Sequence, residues 1–284
     1  MKKCLLIINT LKKDAGALGA LIREELARLG IAVRCLNFPE DCGSGVQGPD
    51  DCGFAVTLGG DGTVLFAARL CAPLGIPILP VNLGSFGFIC GIEKSAWKEE
   101  LRSFLEGRAD IHRRSMAKVT ILRGDKNIGE SIALNDIVVS SKNAPRLISL
   151  EISCNGVSFG LFKSDAVILS TATGSTAYSA AAGGPIIDPA LDALVLTPVC
   201  PFSLSSRPLV LSSASEVVIE QYDPQGGDIQ ALADGQPLCS IRWGDKIIVK
   251  KSEHSALLLA GSPARFYAAL RSKMNWSGGP SGPH

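Results

Sequence analysis

The stretch AVTLGGDGTVLFAAR, residues 55–69, decides how the rest of the chain is interpreted. Ala55–Leu58 is typical of a buried strand, and Val64–Ala68 of a helix that follows it. Glycines at a strand-to-helix turn let a ligand approach the backbone, and the amides of a helix N-terminus attract phosphate. The turn therefore predicts a phosphate-binding loop made of Gly59, Gly60, Gly62 and Thr63.

Asp61 stands out in this loop because a carboxylate repels phosphate. We expect Asp61 to face the second reactant and to accept a hydrogen bond from an attacking hydroxyl, which makes it the candidate catalytic residue. The alternative is that Asp61 only caps the helix, a position that aspartate favours.

The first part of the chain alternates apolar strand patterns with helical ones, which predicts a doubly wound α/β domain over residues 1–112. Continuous apolar runs such as Cys4–Ile8 are typical of strands buried on both faces of a parallel sheet. The predicted strands are Cys4–Ile8, Ile31–Leu36, Phe54–Leu58 and Ile76–Val81, and the predicted helices are Leu18–Leu29, Thr63–Ala72 and Trp97–Leu105.

After residue 113 short strand patterns alternate with turn signals, which predicts a mostly-β domain over residues 113–255. One helical stretch is expected near Thr176–Ala182. The predicted strands are Ala117–Arg123, Ile132–Ser140, Leu147–Cys154, Ala166–Thr171, Leu209–Leu211, Glu216–Glu220, Ile229–Ala233 and Ile247–Lys250.

The last part of the chain returns to helical spacing at Ala264–Leu270. We expect residues 256–276 to complete the first domain with a helix that packs back on it. Residues 277–284 are rich in Gly, Pro and Ser, which predicts a disordered tail.

Composition narrows the class of protein. The 284 residues carry 28 basic and 27 acidic side chains, so a binding surface for nucleic acid is not expected. No apolar run reaches the length of a membrane span or of a signal peptide. Nine cysteines without a CxxC pair indicate buried thiols in a reducing, cytoplasmic setting, and three histidines leave little for a metal site.

Further motifs follow the loop in a fixed order. They are NLGSFGFI at 82–89, LND at 134–136, KSD at 163–165, TGSTAYS at 173–179 and DGQ at 234–236. With GGDGT, this series resembles the NAD kinase family, in a superfamily that includes diacylglycerol and sphingosine kinases. The resemblance covers roughly residues 50–250, and Phe86 stands where the family more usually has leucine.

The resemblance implies an enzyme that moves the terminal phosphoryl group of ATP to the 2′-hydroxyl of the adenosine ribose of NAD, giving NADP. It implies Mg²⁺ that arrives with ATP, and a homodimer or homotetramer with shared sites. Polyphosphate as donor, NADH as acceptor and feedback by NADPH stay open. The implied NAD-binding residues are Asp61, Gly62, Asn135, Asp136, Arg146, Lys163, Asp165, Thr173, Thr176, Ala177, Tyr178, Ser179, Ala180, Ala181, Asp234 and Gln236.

The chemistry of several of these residues fits a dinucleotide. Asn135 offers a donor and an acceptor to the edge of adenine, and Asp136 offers acceptors to ribose hydroxyls. Tyr178 offers a flat face with a polar tip. By resemblance, Asp165 and Ala177 lie at the nicotinamide end, and the DGQ segment helps to complete a neighbouring subunit's site.

Each motif also has a simpler interpretation. Asn135-Asp136 could only end a strand, and Thr173–Ser175 could only begin a helix. Lys163 and Asp165 could form an exposed ion pair, and Asp234-Gly235 could only form a hairpin turn.

Two other functions compete with the one that the resemblance implies. A lipid kinase of the same superfamily would need an apolar acceptor pocket, whereas these motifs are polar. A non-catalytic dinucleotide-binding regulator would use Asp61 only as a cap. A Rossmann dehydrogenase is disfavoured because Asn9–Lys12, and not GxGxxG, follows the first strand.

Overall fold

The computed structural model describes residues 3–41, 48–84, 87–142, 146–203, 205–224, 227–259 and 261–274. These residues form two compact units. Unit 1 consists of the described residues up to Arg114 together with those from Ser255 onward, and unit 2 is Ser115–His254. Within the described ranges, no helix is long and apolar enough to cross a membrane.

Unit 1 contains the parallel strands that the first hundred residues predicted. Its strands are β1 (Lys3–Asn9), β2 (Val33–Phe38), β3 (Cys52–Gly59), β4 (Ile78–Asn82) and β5 (Ile92–Glu93), and its helices before residue 114 are α1 (Ala15–Arg28), α2 (Asp61–Cys71) and α3 (Trp97–Leu105). The strands pair in parallel in the order β2-β1-β3-β4, and β5 pairs with β4. The predicted doubly wound α/β architecture is confirmed.

The hydrophobic effect explains why these strands sit in the centre of unit 1. Leu5, Leu6 and Ile7 of β1 are fully buried, as an apolar run covered on both faces of a sheet requires. Leu6 forms one core with residues of β3 and β4 and with the inward face of α1, including Ile22 and Leu26.

The strand order places the end of β3 at a particular point of the sheet. From β1 the chain goes to β2 on one side, then returns to β3 on the other side, so the order reverses between β1 and β3. In open α/β sheets ligands bind at such a reversal, beside the carboxyl ends of the strands. Since Ile8 pairs with Leu58, the ends of the two strands, Asn9 and Gly59, lie side by side there.

The C-terminal helix α5 (Pro263–Met274) belongs to unit 1, as predicted. Arg265 donates hydrogen bonds to the Gly91 carbonyl at 2.6 Å and to the Glu100 carboxylate of α3 at 2.9 Å. The ring of Phe266 contacts that of Phe88. The expected disordered tail, residues 277–284, lies outside the described residues.

Unit 2 is rich in strands, and two strands link it to unit 1 in the chain: β6 (Ile111–Arg123) leads into it and β17 (Asp245–Leu259) leads out. The elements between β6 and β17 are β7 (Lys126–Ala133), β8 (Asp136–Ser141), β9 (Ile148–Cys154), β10 (Val157–Ser164), β11 (Ala166–Thr171), α4 (Tyr178–Ala181), β12 (Ala193–Val199), β13 (Leu209–Ser212), β14 (Val217–Gln221), β15 (Ile229–Ala233) and β16 (Gln236–Ile241). One sheet has the antiparallel order β13-β12-β11-β8-β15-β16. Strands β10, β9 and β14 pair in succession, β14 pairs with β17, and β6 pairs with β7.

Several predictions for this unit were wrong in detail. The single strand predicted over Ile132–Ser140 is two strands, β7 and β8, that are interrupted at Leu134 and Asn135. The helix predicted near Thr176–Ala182 is a 3-10 turn over Thr173–Thr176 followed by the short α4. Strands β10, β12 and β16 were not predicted.

Candidate functional site

The first residue of the glycine-rich loop of unit 1, Gly59, packs tightly against Thr63. The Thr63 hydroxyl accepts a hydrogen bond from the Asn9 side-chain amide at 3.2 Å, and both side chains are buried. A Cβ at position 59 would overlap with that hydroxyl, so only glycine fits at Gly59. Thr63 therefore holds the loop together and does not present its hydroxyl to a ligand.

The other two glycines of the loop are open. A Cβ built at Gly60 or at Gly62 meets no atom within 4 Å. Gly60 is the N-cap of α2, whose first residue is Asp61. The first amides of α2 thus border open space, and the helix dipole favours an anion there.

Asp61 binds a neighbouring loop and does not cap its own helix. Its Oδ2 accepts a hydrogen bond from the Phe88 amide at 3.0 Å, and its Oδ1 accepts from the Ile89 and Cys90 amides at 3.3 and 2.9 Å. The carboxylate is half-buried. Three amides therefore fix its orientation, while among the described residues Oδ2 accepts from one amide only and keeps a second lone pair.

The loop that holds Asp61 comes from the NLGSFGFI motif. Its residues Ser85 and Phe86 lie outside the described residues. A Cβ at Gly87 would overlap with the Asp61 carboxylate, so the motif needs glycine there to let the carboxylate reach the amides. At the start of the motif, the Leu83 amide donates to the Gly59 carbonyl at 2.8 Å.

A cavity of about 690 Å³ lies beside the same strand ends and includes residues that the sequence did not single out. Its lining is Asn82, Leu83, Gly84, Glu93, Lys94 and Ser95. The Lys12 ammonium lies 3.7 Å from where a Cβ of residue 84 would stand. The sequence places Lys12 just after β1. It does not show that the end of β1 lies beside the end of β3, because only the strand order establishes this.

In unit 2 the residues Asn135 and Asp136 are buried at the interruption between β7 and β8. The Leu134 carbonyl accepts from the Thr171 hydroxyl at 2.6 Å, and the Asn135 carbonyl accepts from the Thr171 amide at 2.8 Å. A Cβ at Gly174 would overlap with the Asn135 backbone. The end of β11 and the turn after it thus hold this segment from one side.

The side chains of this segment are unsatisfied in a way that suits a ligand. Asn135 Oδ1 is buried, and among the described residues it has no hydrogen-bond partner. A buried acceptor without a donor costs free energy, so its occurrence calls for an explanation. Asp136 is 6% exposed; burial and the charge of Asp234 raise the pKa of its carboxyl to about 7.

Asp234 faces the same segment from the opposite side. It lies in the two-residue turn between β15 and β16, where Asp234 and Gly235 have φ angles of 47° and 75°. The predicted hairpin turn is therefore present. The Asp234 carboxylate accepts hydrogen bonds from the Leu134, Asn135 and Asp136 amides at 3.0, 2.7 and 3.3 Å.

The TGSTAYS segment divides into inward and outward side chains. The Ser175 hydroxyl donates to the Ala172 carbonyl at 2.7 Å, and the Ser179 hydroxyl bonds the Thr197 hydroxyl at 2.9 Å. Both serines are fully buried, so the Ser179 side chain supports the turn. Tyr178, by contrast, is 45% exposed.

Other expected site residues lie apart from this cluster within the chain. Lys163 and Asp165 precede β11, whereas Thr173 follows it, so the length of β11 separates the two groups by about 20 Å. The ion pairs found among the described residues do not include one between Lys163 and Asp165. Arg146 is exposed beside Gly227, and Gln236 is exposed at the start of β16.

Comparison with known proteins identifies this combination of loops. Residues 46–109 match the ATP-NAD kinase N-terminal domain, and residues 134–260 match the ATP-NAD kinase C-terminal domain. An NAD kinase of Treponema denticola is 45% identical over 281 residues, which cover 99% of each chain. The chain belongs to the ATP-NAD kinase family.

Solved structures of NAD kinases share this fold. A crystal structure of yeast NADH kinase in complex with NADH has a TM-score of 0.86 at 23% identity, covering 100% of this chain and 90% of that one. An NAD kinase of Archaeoglobus fulgidus in complex with ATP has a TM-score of 0.73 at 25% identity, covering 94% and 96%.

The contact between Gly87 and Asp61 gives a first prediction for this member of the NAD kinase family. Gly87→Ala displaces the Asp61 carboxylate, and we expect NADP formation to fall by about tenfold or more because the reacting groups lose their alignment. Steady-state assays measure the loss. Gly16→Ala is the matched control, since its Cβ meets no atom within 4 Å. Turnover of Gly87→Ala within twofold of the control would contradict the prediction.

The burial of Asp136 gives a second prediction. Between its ordinary pKa of 3.8 and about 7, native Asp136 keeps a proton that the unfolded chain has lost, so rising pH weakens the native state. Asp136→Asn removes this cost, and we expect its free energy of unfolding to exceed that of the wild type by about 1–3 kcal/mol above pH 7.

Urea unfolding at pH 5 and pH 8.5 measures this difference. It should be smaller at pH 5, where the wild-type carboxyl is largely protonated. An equal difference at both pH values would show that Asp136 ionises normally in the native state.

Proposed function

We propose that this chain catalyses transfer of the terminal phosphoryl group of ATP to the 2′-hydroxyl of the adenosine ribose of NAD, giving NADP. The observation that carries the proposal is the Asp61 carboxylate, fixed by three amides beside the open backbone of Gly60 and Gly62. A carboxylate held beside a helix N-terminus, at the reversal of strand order where ligands bind in open α/β sheets, supports a proton acceptor next to the donor phosphates.

The chemical step needs alignment more than a strong base. The ribose oxygen attacks the terminal phosphorus, and the bond to the bridging oxygen breaks with its electron pair leaving on ADP. A ribose hydroxyl is far less acidic than a carboxylic acid, so its proton passes to Asp61 only as the new bond forms. The second lone pair of Oδ2, which no amide of the described residues uses, would be the acceptor that holds this hydroxyl in line.

The donor phosphates are assigned to the amides at Gly60 and Gly62, with the Lys12 ammonium close to the same strand ends. Mg²⁺ arrives with ATP in this proposal and neutralises charge on the phosphates. The described residues contain no group of three or more His, Cys, Asp or Glu side chains that could hold a metal.

The adenosine half of NAD is assigned to the buried segment of unit 2. The orphaned Asn135 Oδ1 would accept a hydrogen bond from the adenine amino group, which satisfies it. Asp136 would bind ribose hydroxyls, Thr173 and Thr176 would contribute further hydroxyls, and the exposed ring of Tyr178 would contact the dinucleotide. Ala177, Ala180 and Ala181 line this segment, and Gln236 stays in the proposed set.

A shared site in a homo-oligomer is the second part of the proposal. Asp165 and Ala177 are both assigned to the nicotinamide end, but Asp165 precedes β11 and Ala177 follows it, so the length of that strand, about 20 Å, separates them within one chain. Asp165 and Lys163 would reach the site from a second copy of the chain, at the nicotinamide end, together with the exposed Arg146.

The eight cysteines that the structure describes are all free thiols, which supports a reducing, cytoplasmic setting. A lipid kinase is not favoured, because the residues around Asn135 are polar and the relatives are NAD kinases. The deciding experiment incubates the purified protein with MgATP and either NAD, NADH or diacylglycerol and measures each phosphorylated product. Binding of NAD without turnover would support the non-catalytic regulator instead, and polyphosphate in place of ATP tests the second donor.

Asp61→Asn gives a prediction specific to the proposed mechanism. We expect kcat to fall by about a hundredfold or more, because an amide cannot take the proton of the ribose hydroxyl. The dissociation constant for NAD, measured by calorimetry, should change by less than about threefold. Near-normal kcat would refute the role of Asp61.

The shared site predicts complementation between two inactive variants. In the proposal, each site combines Asp136 of one chain with Asp165 of the other, so Asp136→Asn and Asp165→Asn are each inactive alone. A dimer of one chain of each variant keeps one site in which both carboxylates are present. After unfolding and refolding as an equal mixture, the two variants should recover about a quarter of wild-type activity. Activity no higher than that of the separate variants would place both carboxylates in one chain's site.

A further inference from the structure

We propose that Asp234 is a positioning residue, whose carboxylate shapes the Leu134–Asp136 segment for the adenosine of NAD without touching the substrate. This inference rests on the proposed function. It differs from the role that resemblance to the family implies for Asp234, in which this residue belongs to the NAD-binding set.

The first support is how the carboxylate is used. Asp234 Oδ1 accepts hydrogen bonds from the Asn135 and Asp136 amides, and Oδ2 accepts from the Leu134 amide. In return, the Asp234 amide donates to the Asp136 carbonyl at 3.0 Å. Three of the four lone-pair positions are thus committed to one short segment of backbone.

The second support is that this segment needs such a partner. β7 ends at Ala133 and β8 begins at Asp136, so Leu134 and Asn135 belong to neither strand, and Leu134–Asp136 are buried. Buried amides that lack acceptors are strongly destabilising. The carbonyls of Leu134 and Asn135 are bound by Thr171, and Asp234 completes the arrangement by binding the amides.

The third support is the side chain that the hydrogen bonds from Thr171 and to Asp234 leave without a partner. With the backbone of Asn135 bound on both sides, its side-chain oxygen is still buried and without a partner among the described residues. The segment is therefore held in a shape that does not satisfy its own side chain. The hydrogen bonds that Asp234 accepts from the backbone stabilise this shape, and they keep Asn135 Oδ1 and the Asp136 carboxyl available to a ligand.

Asp234 also acts on Asp136 through its charge. Burial and the Asp234 carboxylate together raise the pKa of Asp136 to about 7. Of the strands paired with β8, β11 places Ser170 opposite Asp136 and has no ionisable residue, and β15 has none before Asp234. Asp234 is therefore the ionisable group that faces Asp136 from these strands.

The variant Asp234→Asn separates positioning from a purely structural role. Its side-chain oxygen still accepts the two amide hydrogen bonds made by Oδ1, but the contact to the Leu134 amide and the negative charge are lost. We expect the KM for NAD to rise by about tenfold while the KM for ATP stays within about twofold. The pKa of Asp136 should move down toward its ordinary value, so the pH midpoint of NAD binding shifts to lower pH.

Asp245→Asn is the matched control, since Asp245 is a buried carboxylate of the same unit. It accepts hydrogen bonds from the Arg123 guanidinium at 2.8 and 2.7 Å and from the Arg242 amide at 2.8 Å. We expect this variant to lose thermal stability but to keep the wild-type KM for NAD and the wild-type pH midpoint.

A second measurement does not depend on turnover. Hydrogen exchange of the peptide that contains Leu134–Asp136 should accelerate in Asp234→Ala and not in Asp245→Asn, at equal fractions of folded protein. Calorimetric titration with NAD, with NADP as a parallel probe, should show about tenfold weaker binding of NAD by Asp234→Asn.

The outcomes separate this inference from the proposed function. Unchanged exchange in Asp234→Ala, or an unchanged KM and pH midpoint in Asp234→Asn, would overturn the positioning role even if the wild type makes NADP. Equal effects in the Asp245 control would assign Asp234 to stability alone. If the wild type makes no NADP, the proposed function fails, while the exchange and calorimetric results still decide whether Asp234 shapes the segment.

Discussion

Within the described residues, one interaction recurs in both units, and the proposed site depends on it: an aspartate carboxylate accepts hydrogen bonds from three consecutive backbone amides. Asp61 holds the amides of residues 88–90, and Asp234 holds those of residues 134–136. The donor amides lie in irregular backbone or, at Asp136, at the first residue of a strand, where buried amides would otherwise lack partners. Hydrogen bonds to a charged acceptor are stronger than neutral ones, so each carboxylate fixes a loop that no regular secondary structure fixes.

The interaction has a different role at each of the two carboxylates. Asp61 is itself the proposed reacting group, so the amides of the neighbouring loop hold it in place. Asp234 is the holder, and the residues that it positions are Asn135 and Asp136. In both cases an essential glycine lets the partners approach: Gly87 beside Asp61, and Gly174 on the far side of the segment that Asp234 holds.

The proposed acceptor site has a cost in stability that is consistent with function. An orphaned acceptor on Asn135 and a buried carboxyl on Asp136 both weaken the folded state, and a core of apolar strands surrounds them in unit 2. Such groups persist where a ligand satisfies them. Burial of the apolar core therefore offsets the loss of folding stability caused by these two groups.

The sequence by itself determined the fold class and the family, and it predicted the position of the phosphate loop. Apolar runs with period-specific spacing reflect burial directly, so β1, β3, α3 and α5 could be located from them, and GGDGT, LND and TGSTAYS are local patterns. What only the tertiary structure decided is which atoms these patterns meet. The sequence offered helix capping as the alternative role of Asp61, but the partners of Asp61 lie 27 to 29 residues further along the chain, and those of Asp234 lie about a hundred residues earlier. The tertiary structure also decided four other features. They are the end of β7 before Leu134, the inward hydroxyl of Ser179, the residues around Lys12 and the separation of Asp165 from Thr173. Hydrogen bonds and close contacts between distant segments are set by strand order and register, and no local spacing records them.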